Sequence, residues 1–115
     1  MFEMKCIVAI VERGRANKVV DAAKKAGAAG ATIFYGRGSG QSEVKKFLNV
    51  SVEDAKEVIL IISKAEEISP IVDAMSIAGK IEEAGTGIVF TVPVTNLLGL
   101  NHRDTFIGDE QVDND

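Results

Sequence analysis

Four short runs of apolar, β-branched residues alternate along the chain with two stretches of helical spacing. The first run, Cys6-Ile7-Val8-Ala9-Ile10-Val11, is apolar without a break. At that length it predicts a buried strand. Gly14 and Asn17 mark a turn. Residues 18–26 then take helical spacing, with Val19, Val20, Ala23 and Ala26 on one face and Lys18, Asp21, Lys24 and Lys25 turned outward. Gly27 stands where a left-handed cap stops a helix. Residues 31–35, Ala-Thr-Ile-Phe-Tyr, predict a second strand. The Gly36-Arg37-Gly38-Ser39-Gly40 that follows reads as irregular structure. Residues 41–54 are polar and mixed, with Val44, Phe47 and Leu48 as anchors for at most one helical turn. A third strand is predicted at 57–62, apolar on both faces. Ser63 with Glu66 has the spacing of a capping box. Ile68, Ile71, Val72, Met75 and Ala78 form the face of a second helix. Pro70 falls in its early turns, unless the helix starts afresh with Ser69 as cap. Residues 79–87 make a second loop, 88–92 a last strand, and Pro93 ends its ladder.

The order is therefore β-α-β-loop-β-α-β. Two helices cover one face of a four-stranded sheet, yet some strands are apolar on both faces. The other face must be buried, and in a chain this short the natural cover is another copy of itself. The length of 115 residues fits one domain. A domain of that size leaves much apolar surface uncovered, which again favours an oligomer.

Charge changes the picture only at the end. The chain has 13 Lys+Arg against 17 Asp+Glu. Four of the acids lie in residues 109–115, which contain no base. Removing them leaves 13 acids against 13 bases, so residues 1–108 are neutral and 109–115 read as an acidic, disordered tail. A neutral body argues against a nucleic-acid partner held by bulk charge. No signal peptide is visible and no apolar run is long enough to span a membrane. The expected setting is the cytoplasm. The one cysteine, Cys6, excludes an intrachain disulfide and is expected as a buried thiol of the first strand.

Glycine marks the candidate chemistry. Eight of the 11 glycines lie in two windows, 27–40 and 79–87. Gly36-Arg37-Gly38-Ser39-Gly40 offers free backbone N–H groups beside a guanidinium, a nest that suits phosphate or carboxylate. It lacks the form of a Walker loop or a dinucleotide fingerprint, and composition alone fits a flexible turn equally well. The second window adds Lys80 and the run Gly85-Thr86-Gly87. No nucleophile–base pair is visible, so no catalytic residue and no enzyme is expected. One histidine without a usable cysteine makes no metal site.

Gly27-Ala28-Ala29-Gly30-Ala31-Thr32-Ile33 leading into Gly38-Ser39-Gly40 resembles the PII signal-transduction family, also called nitrogen regulatory protein P-II. The likeness resumes at strand three, at Ala78-Gly79-Lys80-Ile81, and at Gly87-Ile88-Val89-Phe90-Thr91-Val92-Pro93-Val94. Only the acidic tail falls outside it. Gly-Arg-Gly-x-Gly and the ending Pro93-Val94-Thr95-Asn96-Leu97-Leu98-Gly99-Leu100 are similar to a PII-like subgroup with a shortened T-loop.

The resemblance implies an α/β (α+β) ferredoxin-like βαββαβ sandwich, with a four-stranded antiparallel sheet and two helices on one face. It implies a homotrimer with adenine nucleotide (ATP, ADP or AMP) bound in the clefts between subunits. Gly30, Ala31 and Thr32 would hold the adenine. Gly36, Arg37, Gly38, Ser39 and Gly40, at the base of the T-loop, would meet the phosphates. Lys80, Gly85, Thr86 and Gly87, in the B-loop, would wrap the ribose and phosphates. The usual C-terminal arginines fall on Gly99 and Asn101, with His102 and Arg103 close by. His102 is then either a solvated side chain or a phosphate contact across the interface. The family's second B-loop lysine is Ile88 here, and Glu82 and Glu83 add negative charge. Ligands with fewer phosphates, ADP or AMP, gain from these changes. Gln41-Ser42 replaces the Arg-Gln of nitrogen-sensing members, a departure from their 2-oxoglutarate and magnesium site, and the sequence leaves the part of magnesium open. The resemblance further implies a regulated partner protein, a membrane transporter or an enzyme, contacted by residues 37–50. The competing reading is a trimeric scaffold of the cation-tolerance type, with no nucleotide or with a different small anion.

Overall fold

The computed structural model describes residues 3–38, 54–83 and 85–99. Strand β1 is Met4–Glu12, helix α1 is Ala16–Lys25, and strand β2 is Thr32–Gly38. Strand β3 is Asp54–Lys64. A single 3-10 turn at Ala65–Glu67 leads into helix α2, Ile68–Gly79, and β4 is Gly87–Pro93. The strands form one antiparallel sheet in the order β2-β3-β1-β4. Both helices lie on the same face. This is the expected ferredoxin-like arrangement. Of the stretch 41–54, expected to hold at most one helical turn, only Asp54 is described, and it opens β3; the rest, and the acidic tail at 109–115, lie outside the described residues.

Strand alternation divides the side chains between two layers. Ile7, Ala9 and Val11 of β1 and Ile59 and Ile61 of β3 are buried beneath the helices. They meet Ala16, Val19, Val20 and Ala23 of α1 and Ile68, Ile71 and Met75 of α2. Burying each large side chain of this set contributes about 1.5–3 kcal/mol. The opposite face carries Cys6, Val8 and Ile10 of β1 and Val58, Leu60 and Ile62 of β3. Phe34, Ile88, Phe90 and Val92 flank them on the outer strands. Phe34, Ile62, Ile88, Phe90 and Val92 are all more than a third exposed. The uncovered apolar face that the patterning required is therefore present. Cys6 lies on it, half-buried rather than buried as expected. Desolvation pushes its thiol pKa up, partly offset by a backbone hydrogen bond at Ile61.

Helix ends show where local sequence was enough and where it was not. After α1, Gly27 takes φ 123°. Its N–H donates to Lys24 O and the Ala28 N–H to Ala23 O, the paired bonds of a Schellman stop. At the start of α1, two residues earlier than the periodicity predicted, Arg15 gives no side-chain cap. The cap comes from Glu57 of β3, whose Oε1 accepts the Ala16 N–H at 2.8 Å. Glu57 is only 8% exposed. A charge-assisted bond of this kind contributes about 1.5–3 kcal/mol, and the helix dipole favours an anion there. At α2 the expected Ser63–Glu66 pairing is not made. Ser63 belongs to β3, and its hydroxyl donates to Glu67 instead, at 3.0 Å. The intervening 3-10 turn brings Glu67 rather than Glu66 back to the strand end. Pro70 sits in the first turn of α2, where a missing N–H costs no helical bond.

Candidate functional site

The first glycine window does not end the strand. Gly36, Arg37 and Gly38 continue β2 and pair with Lys56, Ala55 and Asp54. The expectation of irregular structure there is corrected for these three residues. Glycine lowers strand propensity without removing the ladder's donors, and β3 holds the register. The nest of consecutive free N–H groups is corrected with it. As an edge strand, β2 presents outward-facing backbone groups only at alternate residues.

Packing within the chain does not demand glycine at these positions. A Cβ on Gly30 would meet nothing within 4 Å. On Gly36 the nearest atom would be Val58 Cγ2 at 3.9 Å, and on Gly38 Lys56 Cγ at 3.7 Å. Their effect is an open strip of backbone along one edge of the sheet. Ala31, beside Gly30, packs partly on the core. Thr32 and Arg37 are exposed. Tyr35, the last residue of the predicted second strand, is 72% exposed, because the two helices do not reach out over the edge strand. Lys56, whose stem lies by Gly38, is a cation that sequence reading passed over. The register Gly36↔Lys56 is the signal that places it there.

The second window is a tight turn. Lys80, just past α2, is left-handed at φ 54°, ψ 41°. Its N–H donates to Ile77 O, and the Ile81 N–H to Ser76 O. Its carbonyl accepts the Glu83 N–H at 3.0 Å. The Thr86 Oγ1 lies 2.6 Å from Lys80 O and 2.8 Å from Glu83 O. Thr86 is 8% exposed, while Lys80, Glu82, Glu83 and Gly85 are exposed. Gly87 opens β4 so close to β1 that a Cβ there would collide with the carbonyl oxygen of Ile10.

The two windows lie on opposite sides of the sheet. Tyr35, Glu57, Val11 and Gly87 occupy one row across it, from β2 through β3 and β1 to β4. Three strand spacings separate Tyr35 from Gly87, about 14 Å. Gly38 is further still. One phosphate group, hydrogen-bonded at about 3 Å, cannot meet the backbone N–H groups of both windows of a single chain. The structure thus groups Gly30, Ala31, Thr32, Gly36, Arg37 and Gly38 on one edge. It groups Lys80, Gly85, Thr86 and Gly87 near the other. Ser39, Gly40, His102 and Arg103 lie outside the described residues. Among the described residues no cluster of His, Cys, Asp or Glu could hold a metal ion. No described helix is long and apolar enough to cross a membrane.

The fold is shared with a crystal structure of Arabidopsis thaliana PII bound to citrate. The TM-score is 0.68 at 22% identity, over 86% of this chain and 84% of that one. A search of curated proteins gives no match. The family of nitrogen regulatory protein P-II matches residues 4–102, which takes in every described element and both glycine windows. The chain therefore belongs to the nitrogen regulatory protein P-II family of signal-transduction regulators.

Proposed function

We propose that this chain is a cytoplasmic, non-enzymatic regulator that works as a homotrimer. It binds adenine nucleotide between neighbouring copies and controls a partner protein, a membrane transporter or an enzyme, through residues 37–50. The observation that carries this reading is the placement of the two glycine windows. Each is half a site: an open backbone strip with Arg37 and Lys56 on one edge, and a turn bearing Lys80 near the other. In such a trimer, packing copies around the uncovered apolar face would bring the edge of one towards the loop of the next. The adenine would lie against Gly30, Ala31 and Thr32, and the phosphates between Gly36–Gly38 and Lys80–Gly87. Ile88, exposed where the family carries a lysine, together with Glu82 and Glu83, favours ADP or AMP over ATP.

Isothermal calorimetry on the full chain tests this with ATP, ADP and AMP. Binding of ADP or AMP is expected, with affinity falling roughly tenfold in Arg37→Ala and in Lys80→Ala, one charged contact each. If none of the three nucleotides binds, the reading fails. The same lack of a second lysine favours the competing reading, a scaffold for a different small anion. The Arabidopsis structure of this fold holds citrate, so citrate is the probe for that alternative.

A further inference from the structure

Sequence resemblance placed Thr86 among the groups that touch the ligand. Its geometry gives it other work. The hydroxyl has a single proton, and both of its close neighbours are carbonyls of its own loop: Lys80 O at 2.6 Å and Glu83 O at 2.8 Å. The Thr86 N–H also turns inward, to Glu83 O at 3.3 Å. The side chain is buried beneath the turn rather than presented to a cleft.

What that hydroxyl holds is unusual. Lys80 is the one non-glycine residue with positive φ among those described. The left-handed region is sterically disfavoured for a lysine, and persists only where surrounding bonds over-determine it. Helix bonds fix the amide side of Lys80. On the carbonyl side, the Glu83 N–H and the Thr86 hydroxyl do so. Thr86 is in turn fixed from behind. Gly87, the next residue, pairs with Val11 in the sheet and has no clearance from β1. A continuous chain of contacts runs from the sheet through Gly87 and Thr86 to the Lys80 backbone.

We propose that Thr86 is a positioning residue, whose hydroxyl pins the left-handed Lys80 to the sheet and so sets the loop's affinity for phosphate-bearing ligands. This rests on the reading of Lys80 as an anion-binding cation. A pre-formed loop avoids the ordering cost that a loose one must meet on binding.

The test uses the full chain without ligand and with ADP. Thr86→Val keeps the shape and removes the hydroxyl; Thr86→Ser restores it; Thr86→Ala is carried alongside in case valine disturbs the fold. Amide hydrogen exchange is read over residues 80–87. Without ligand, Thr86→Val and Thr86→Ala are expected to exchange at least tenfold faster there, with Thr86→Ser near the parent. ADP affinity is expected to fall by about tenfold in the first two and to recover in serine. A hydroxyl that only touched ligand would leave exchange in the free protein unmoved, and that result overturns the pin. Faster exchange with unchanged ADP affinity overturns the positioning role. If the parent itself binds no ADP, the nucleotide reading falls and takes the positioning role with it. The exchange data still report separately whether the pin exists.

Discussion

Gly87→Ala is expected to lower the melting temperature by more than about 10 °C, the largest loss of stability from removing any single described glycine. The new methyl group would collide with Ile10 O and stand 3.2 Å from Val11 Cα, both backbone atoms of the central strand β1. Backbone cannot swing aside as a side-chain tip can, so either β4 lifts from β1 or the turn behind it deforms. Gly87 also has φ 158°, a conformation that L residues rarely adopt. Overpacking costs about 1–3 kcal/mol and backbone strain a similar amount. Together they are a large share of the about 5–15 kcal/mol that stabilises a domain. Gly79→Ala is the comparison. Its methyl group would lie 3.2 Å from Ile81 Cδ1 and 3.3 Å from Val19 Cγ2, tight contacts with side chains but none with the backbone of a neighbouring strand. Calorimetric scans at one protein concentration check the pair. Equal losses would mean that the strand contact is softer than its geometry states.

Phe90→Asp is expected to reduce the proposed homotrimer to monomers at micromolar concentration. Phe90 is 43% exposed at the middle of β4, on the apolar face with Ile62, Ile88 and Val92. Its row across the sheet is Val8, Leu60 and Thr32, so no basic residue stands directly across from it to receive the charge. Burying an unpaired carboxylate costs several kcal/mol, and each copy in a symmetric assembly would bring one. Ile77→Asp on α2 is the control. Ile77 is 78% exposed and belongs to the helix layer, so the charge stays in water and the assembly should persist. Sedimentation velocity distinguishes the outcomes. An unchanged mass for Phe90→Asp would remove the apolar face as the assembly surface.

The element order was readable because the strands of this fold are apolar over lengths that fit no helix. The uncovered face was readable for the same reason: residues such as Val8, Ile10, Val58 and Leu60 point away from the helices and are still apolar. Gly36–Gly38 was misread because composition reports what glycine permits, whereas the β3 register decides what it does. The Glu57 cap was invisible because its partner Ala16 lies 41 residues away. The clue was a gap: α1 has no acidic residue in its first turn and no side-chain cap of its own. At the candidate site, motif spacing picked out both windows. It could not say that they lie across the sheet from each other, which depends on strand order. Nor could it tell that the Thr86 hydroxyl is spent inside its own loop.

The separation of the windows bears on heredity as much as on binding. In a cyclic trimer whose clefts each join the β2 edge of one copy to the loop of the next, Arg37→Ala and Lys80→Ala damage different halves. A trimer mixed from the two variants necessarily rebuilds a single undamaged cleft, where an intact edge meets an intact loop. Co-expressing the two weakened alleles should therefore recover part of the high-affinity ADP binding that neither shows alone. Windows contributed to each cleft by the same copy would give no such recovery.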